Sequence, residues 1–263
     1  MTNPSPTQGM EEMIAMETLE RYSGSAPAEF QSNLILTNFP RYVKYFAESR
    51  KVGIKEGSMF KVAHCEEEDI SILDFKIGSP AAALVVDICS FLPTRAAIFL
   101  GMCGGLRRRY KVGEYLASHV PALANFLMQK AVTDVLEKEN IAYHIGTTYT
   151  TNMRFWEYNQ GFIEELKRSK AQGIEMEGAT LFAASYYRKF TLGALMLISD
   201  LPLMKEGIKT KKSSNDVFTN HTEEHVETGI KVLRCSRVMQ ARKVKGAYHR
   251  NLNTDIAERK SFF

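Results

Sequence analysis

The chain has 263 residues, of which 44% are apolar, and this is enough to bury one sizeable core. Its 34 basic and 30 acidic residues leave a formal net charge of +4, which is too balanced for a protein that binds nucleic acid through a dominant basic face. No apolar run approaches the ~18 residues that a membrane span needs, and the first residues lack the basic start and apolar core of a signal peptide. These properties favour one globular domain with neither a nucleic-acid nor a membrane partner.

The cysteines indicate the compartment. The four of them form no CxxC pair and no spacing typical of a metal site, and they are Cys65, Cys89, Cys103 and Cys235. The first three lie in or beside apolar runs, where a reduced thiol behaves as a small hydrophobic residue. We therefore expect a reducing, cytoplasmic location, and neither a metal nor a cofactor in the site.

Apolar segments of strand length alternate with segments of helical period along the chain. Residues 1–9 are expected to be disordered, residues 10–242 to form one catalytic domain, and residues 243–263 to form a polar tail. The pattern predicts helices over 10–22, 41–49, 78–91, 120–139, 177–188 and 219–238. It predicts strands over 33–37, 59–65, 69–75, 96–100, 143–149 and 192–198.

This alternation predicts a single-domain, three-layer α/β/α fold with a twisted, mixed and largely parallel sheet. Ligands of such sheets bind beyond the carboxyl ends of the strands. The segments that follow the predicted strands are therefore candidate site segments. They are rich in glycine, small hydroxyl and acidic residues, and they are 37–38, 77–80, 101–105, 150–152, 175–177 and 199–200.

Three of these segments carry residue types suited to catalysis. The glycine-rich stretch 101–105 would form a turn that lets the backbone approach a ligand closely. Glu175 and Glu177 flank Met176 before a predicted helix, where acids either stabilise the helix N-terminus or accept hydrogen bonds from two sugar hydroxyls. Asp200 ends a strongly apolar strand, and it is either a capping or turn residue or a general acid.

Seven segments of the chain carry a family resemblance, and they run from about Leu19 to Val232. They are LILTNFPRYV, IGSPAA, FLGMCGGL, VGEY, GTTYTTNMRFWE, GIEMEGATLF and ALMLISDLPL, followed by EGIKTKKS. In this order they resemble the nucleoside phosphorylase/nucleosidase superfamily, and within it the AMP nucleosidases. The resemblance implies a sheet partly closed into a barrel and a homo-oligomer, expected to be a hexamer. It implies hydrolysis of the N-glycosidic bond of AMP to adenine and ribose 5-phosphate.

The resemblance also assigns roles to matching residues. Glu177 would bind the ribose hydroxyls with Met176 beneath the sugar, and Asp200 would protonate a purine ring nitrogen. The residues expected at the base are Thr150, Thr151, Asn152 and Phe155, with Trp156 as a second aromatic. Cys103 and Gly104 of the glycine-rich stretch are expected to bind the substrate. The candidates for the 5′-phosphate are Arg154, Lys209, Lys212 and Arg41. Arg41 matches an arginine that reaches phosphate from the first loop in some relatives, sometimes across a subunit boundary. The two lysines otherwise belong to an ordinary mobile loop.

The chain departs from the resemblance at positions that bear on the nucleophile. Phosphorylases commonly carry an arginine just before the glycine stretch to hold phosphate, and this chain has Phe99 there, so water is the expected nucleophile. Methylthioadenosine nucleosidases carry a glutamate after the first strand to activate water, but the segment 37–41 holds no acid. Glu175 is the remaining candidate for this base.

Relatives also carry a longer active-site segment where 115–119 joins a strand directly to a helix, so this chain either lacks that segment or is shown without it. Phosphorolysis of a nucleoside and nucleotide binding by a weakened homologue are therefore alternative functions. His221 and His225 stand four apart on the last predicted helix, where a solvated face is favoured over a metal site because no third ligand is evident.

Overall fold

The computed structural model describes residues 6–118, 125–204 and 207–247. Within these ranges, ten strands form one sheet and seven α-helices pack around it. The strands are β1 (Asn33–Thr37), β2 (Ile54–Glu56), β3 (Lys61–Cys65), β4 (Ile70–Asp74), β5 (Ala96–Gly105), β6 (Tyr115–Ser118), β7 (Tyr143–Gly146), β8 (Thr148–Thr150), β9 (Gly173–Glu175) and β10 (Leu192–Asp200). The helices are α1 (Pro6–Ser23), α2 (Pro40–Arg50), α3 (Ser79–Cys89), α4 (Phe126–Lys138), α5 (Gln160–Ser169), α6 (Gly178–Tyr187) and α7 (Lys211–Ala247).

The sheet is mixed, with a parallel centre. Its strand order is β2-β3-β4-β1-β5-β10-β6-β7, and the central strands β4, β1, β5 and β10 run parallel. Strands β2, β3 and β6 pair antiparallel with their neighbours nearer the centre, and β9 pairs antiparallel with the end of β5. The predicted three-layer fold is confirmed. The described strands do not close on themselves, so the expected partial barrel is corrected to an open sheet.

The central strands are apolar at successive positions because helices cover both faces of the sheet. On β1, Leu34 and Leu36 enter the core beneath α1, α3 and α6, whereas Ile35 enters the core beneath α2, α4 and α7. The same alternation continues on β5 and β10. Both faces of the sheet are thus buried, and the carboxyl ends of the strands stay available for a site.

The glycine-rich stretch is a strand and not the expected turn. β5 continues through Gly105, pairing with β10 on one side and, at its end, with β9 on the other. Close packing explains the glycines, because a Cβ on Gly101 would lie 2.6 Å from the Phe99 ring, and one on Gly105 would lie 2.9 Å from Leu201. A side chain at either glycine would therefore collide with neighbouring core residues.

Other elements differ from the predictions in extent. The predicted strand 143–149 is two strands, because β7 pairs with β6 and β8 pairs with β9. Helix α5 and strand β9 were not predicted, and α1 and α7 extend beyond their predicted ends. The predicted domain bounds stay a prediction. Residues 119–124 lie outside the described residues, so whether the chain lacks the longer segment after 115 also stays open.

His225 lies in the core and not on the solvated helix face that its spacing suggests. Its ring is fully buried, and its nitrogens lie 2.8 Å from the Tyr42 hydroxyl and 3.0 Å from the Leu195 carbonyl oxygen. Burial lowers the pKa of His225 to about 3, so the ring is neutral and ties α7 to α2 and β10.

The described residues offer neither a membrane span nor a cluster of metal ligands. None of the helices there combines the length and the apolar character that crossing a membrane requires. Nor do three or more His, Cys, Asp or Glu side chains gather there as they would around a metal ion.

Candidate active site

A cleft opens at the carboxyl ends of β1, β5, β9 and β10, where a ligand of an open α/β sheet is expected. Eight of the predicted site residues line it, and they are Cys103, Gly104, Arg154, Glu175, Met176, Glu177, Lys209 and Asp200. Glu177 and Asp200 therefore line one cleft, as their positions after strands predict, and the strands that precede them, β9 and β10, both pair with β5.

Asp200 reaches the cleft through a β-bulge. Ile198 pairs with Cys103 and Asp200 pairs with the next residue, Gly104, so Ser199 has no partner of its own in β5. A bulge bends the strand and redirects the side chains beside it. Ser199 and Asp200 both line the cleft, and the Ser199 hydroxyl donates a 2.7 Å hydrogen bond to Asp200 Oδ1. The end of β10 thus presents one carboxylate toward the cleft.

Glu177 is a buried carboxylate at the start of α6, and its side chain is 2% exposed. The Gly78 N–H donates to Glu177 Oε1 at 2.7 Å, and the Asn38 carboxamide is a second donor. Gly78 has φ +100°, a left-handed conformation that glycine adopts without strain. Burial and the nearby Glu175 carboxyl raise the pKa of Glu177 to about 7, against the effect of these hydrogen bonds.

Glu175 has a different environment, although only Met176 separates it from Glu177. Its Oε2 accepts hydrogen bonds from the N–H groups of Glu177 at 2.7 Å and Gly178 at 2.5 Å, and the Thr150 hydroxyl donates to its Oε1. Burial raises the pKa of Glu175, and these three hydrogen bonds oppose the shift. The carboxylate therefore caps the N-terminus of α6. The geometry does not support the expected role of Glu175 as the base that activates water.

Two cations face the cleft. The Arg154 guanidinium lies over the Phe155 ring at 5.7 Å, and Lys209 Nζ lies 3.6 Å from the Met102 sulfur. Burial lowers the pKa of Lys209, the charge of Arg154 adds to this shift, and the charge of Asp200 opposes it. An aromatic ring and a thioether do not neutralise these charges. Arg154 and Lys209 are therefore the groups that can bind an anion in a cleft that four acids also line, and these acids are Glu157, Glu175, Glu177 and Asp200.

Six predicted site residues do not line the cleft. Thr150 is held by Glu175, and the Thr151 hydroxyl accepts from the Met153 N–H. Asn152, Phe155 and Lys212 are exposed to solvent. Arg41 lies over the Phe218 ring and donates to Asn215. Their expected roles at the base and the phosphate stay predictions, and so does a contribution of Arg41 to a neighbouring subunit.

The cleft also includes residues that were not assigned a role from sequence. Asn38 follows β1 directly, so the rule of strand ends locates it, but an amide is a weak signal by itself. Its carboxamide oxygen is buried and has no hydrogen-bond partner among the described residues. Trp156 was only the second aromatic candidate, yet it lines the cleft while Phe155 is 67% exposed.

Comparisons with known proteins agree with this fold. A family model described as the phosphorylase superfamily matches residues 114–234. The crystal structure of AMP nucleosidase from Bacteroides thetaiotaomicron VPI-5482 is 30% identical in sequence, with a TM-score of 0.76 over 88% of this chain and 99% of that chain. The chain belongs to the phosphorylase superfamily, whose members here include nucleosidases and phosphorylases acting on N-glycosidic bonds.

Two sequence relatives represent both reaction types. The AMP nucleosidase of Escherichia coli (strain K12) is 25% identical over 84% of this chain, and this chain spans 58% of that protein's length. The DeoD-type 1 purine nucleoside phosphorylase of Shewanella oneidensis is 20% identical, over 78% of this chain and 96% of that protein. The relatives therefore establish an enzyme family and leave hydrolysis and phosphorolysis to be distinguished by the site.

Proposed function

We propose that this protein hydrolyses the N-glycosidic bond of AMP to adenine and ribose 5-phosphate. The observation that supports it most is the meeting of Glu177 and Asp200 in one cleft that Arg154 and Lys209 also line. A nucleotide offers a purine, a ribose diol and a phosphate. The cleft offers a proton donor, a carboxylate acceptor and two cations, so each part of AMP has a matching group.

Asp200 and Glu177 act on opposite sides of the breaking bond in this proposal. Cleavage passes through an oxocarbenium-like state, in which the purine gains negative charge and the sugar gains positive charge. Asp200 protonates a purine ring nitrogen and so neutralises the leaving group. Glu177 accepts hydrogen bonds from the two ribose hydroxyls, and its charge stabilises the cationic sugar. Met176 lies beneath the sugar, and Trp156 supplies an aromatic wall for the base.

The residue at position 99 favours water over phosphate as the nucleophile. Phe99 is fully buried, and its ring packs in the core beside Gly101. The position therefore supplies no cation for a phosphate nucleophile. Since Glu175 serves as a cap, no base is assigned to the water.

The cations determine preference for a nucleotide over a nucleoside. Arg154 offers a planar fork of donors and Lys209 offers a compact charge, and together they would bind the 5′-phosphate. Lys212 on α7 and Arg41 on α2 lie outside the cleft. They would bind the 5′-phosphate only after a movement of α7 or across the boundary with a neighbouring subunit of the expected hexamer. The homo-oligomer stays a prediction.

One assay tests the function. The protein is incubated with AMP, adenosine or methylthioadenosine, with and without phosphate, and free base and sugar product are measured. We expect adenine and ribose 5-phosphate from AMP whether or not phosphate is present. A strict requirement for phosphate would replace the proposal with phosphorolysis of a nucleoside. Binding of AMP without release of base would instead favour a weakened homologue that serves as a nucleotide-binding protein.

A further inference from the structure

A second cavity lies behind Asp200. It has a volume of about 180 Å³ and is bounded by the end of β10, the chain between β10 and α7, the first turns of α7 and the turn before β6. Ser199 and Asp200 line this rear cavity and also the cleft, and no other described residue lines both. The bulge at Ser199 thus places Asp200 between two spaces.

The rear cavity suits water and protons rather than a substrate phosphate. Besides Ser199 and Asp200, its polar lining is Ser213, Asp216, Asn220 and His221, all on α7, and no lysine or arginine is among its described lining residues. Val112, Leu201, Ile208 and Val217 supply the apolar part of the wall. The volume has room for several waters, and the polar side chains offer them hydrogen-bonding partners. Since the described lining residues include two acids and no lysine or arginine, they do not favour an anion.

The turn before β6 is shaped to receive His221. Gly113 has φ +95°, and a Cβ there would lie 2.5 Å from His221 Cε1. Any other residue at Gly113 would be strained and would displace the ring. The glycine of the VGEY segment, which the proposed reaction leaves without a role, therefore allows an imidazole to stand at this cavity. An imidazole can take a proton on one nitrogen and release one from the other.

The proposed reaction requires Asp200 to regain a proton in every turnover. Asp200 gives its proton to the purine as the C–N bond breaks, and it is left as a carboxylate. The attacking water gives its oxygen to the sugar carbon and releases its own proton into the cleft. One proton must therefore reach Asp200 for each one that the water releases, and adenine and sugar occupy the cleft side until they leave.

We propose that His221, with the water of the rear cavity, returns this proton to Asp200 from behind the substrate. The inference rests on the proposed function, because it requires Asp200 to act as the acid. His221 contacts no substrate in this scheme and acts only through Asp200. Asp216 lines the same cavity, and in this scheme its negative charge stabilises the proton while His221 and the water carry it.

The test separates the two kinetic constants of His221→Gln, measured with whichever substrate the wild type cleaves. Return of the proton follows bond cleavage, so its loss lowers kcat and leaves kcat/KM unchanged. We expect kcat to fall about tenfold, less than the roughly 10²-fold at the low end for a positioned acid or base, because solvent still returns the proton slowly. Added imidazole should restore kcat, and the first turnover should appear as a burst of free base. Glu223→Gln, an exposed change on the same helix, is the matched control and should alter neither constant.

The outcomes are distinct. If kcat and kcat/KM fall together and imidazole has no effect, His221 is structural and the inference is overturned. Unchanged kinetics in His221→Gln overturn it equally. The thermal unfolding midpoint of each variant shows whether a loss comes from misfolding, and Asp216→Asn gives a second variant that should show the same separation of constants. Failure of the wild type to release any base defeats the proposed function itself and is recognised before the variants are made.

Discussion

The two ends of the central strands hold carboxylates in opposite environments. At the amino ends, Asp69 accepts hydrogen bonds from the Ser32 N–H at 2.9 Å and hydroxyl at 2.5 Å, and it pairs with Arg95 and Arg237. These four residues, called the amino-end cluster below, join the starts of β1, β4 and β5 to α7. The pKa of Asp69 is lowered because these partners outweigh its partial burial.

At the carboxyl ends, Glu177 is buried beside another acid and its pKa is raised to about 7. Lys209 is half-buried, and its pKa is lowered. Each of these groups is thus held in a site that disfavours its charge, which costs stability. A paired carboxylate holds elements together, whereas an unpaired one is a candidate for chemistry. Substitutions at the carboxyl ends and at the amino ends of the strands test this comparison.

The largest effect is expected from Asp200→Asn. The amide cannot protonate the purine, and a proton given only as the bond breaks acts in the transition state. We expect kcat on AMP to fall by roughly 10²-fold or more, with a much smaller change in AMP binding. Steady-state kinetics and equilibrium binding of AMP measure the two quantities. An unchanged kcat would remove Asp200 from the role of acid.

The next effect is expected from Glu177→Ala, which should damage binding and turnover together. Each charge-assisted hydrogen bond to a ribose hydroxyl is worth about 1.5–3 kcal/mol, or roughly 10–100-fold. Wild-type protein should therefore process 2′-deoxy-AMP poorly, and the variant should lose little more on that substrate. Comparable rates on AMP and deoxy-AMP in the wild type would contradict the assignment of Glu177 to the diol.

The pH dependence of catalysis gives the third test. Glu177 accepts hydroxyl hydrogen bonds as a carboxylate, so its protonation below pH about 7 should lower kcat/KM by about tenfold per pH unit. Glu177→Gln should lose this acid limb. The phosphate of AMP titrates equally for both proteins, so their difference isolates Glu177. A limb that persists in Glu177→Gln belongs to another group.

Ionisation of Glu177 should lower the stability of the fold as pH rises, whereas the same ionisation should raise activity. The raised pKa means that folded protein holds this proton between pH 4.5 and about 7, where the unfolded chain has lost it. Stability from Glu177 therefore falls as pH rises through that window. At pH 8, we expect Glu177→Gln to stabilise the protein by about 2 kcal/mol. Equal unfolding free energies in urea at pH 8 would show that Glu177 carries no such cost.

The sequence predicts the centre of the sheet well and its edges poorly. The strands 33–37, 96–100 and 192–198 are continuous apolar runs, because both faces of the sheet are covered, and their cores match β1, β5 and β10. The end of β5 was misjudged because glycine favours turns locally, whereas here it avoids collisions with neighbouring side chains. Strand β9 has only three residues, too few for a period to appear.

In the site, position after a strand located Glu177, Met176 and Asp200. It could not distinguish Glu175 from Glu177, because the backbone at the start of α6 determines which acid meets the N–H groups. Phe155 has φ +62°, which turns the chain so that Trp156 and not Phe155 is buried beside the cleft. Such choices depend on local backbone geometry that residue types do not encode.

The smallest effect is expected at the amino-end cluster, from Asp69→Asn. Asp69 has φ +57°, and asparagine tolerates this left-handed conformation, so the change removes charge with little added backbone strain. Its ion pairs with Arg95 and Arg237 are partly exposed, so we expect a loss of about 1 kcal/mol in unfolding free energy at pH 7. Because the pKa of Asp69 is lowered in the fold, the stability that it contributes is present above pH about 4 and is lost as pH falls through the folded value. The difference between wild type and variant in urea unfolding should therefore shrink toward pH 3, while kcat and KM for AMP stay unchanged at pH 7. A loss of activity without a loss of stability would mean that charge at the amino ends is coupled to the cleft, and the division of labour between the two strand ends would no longer hold.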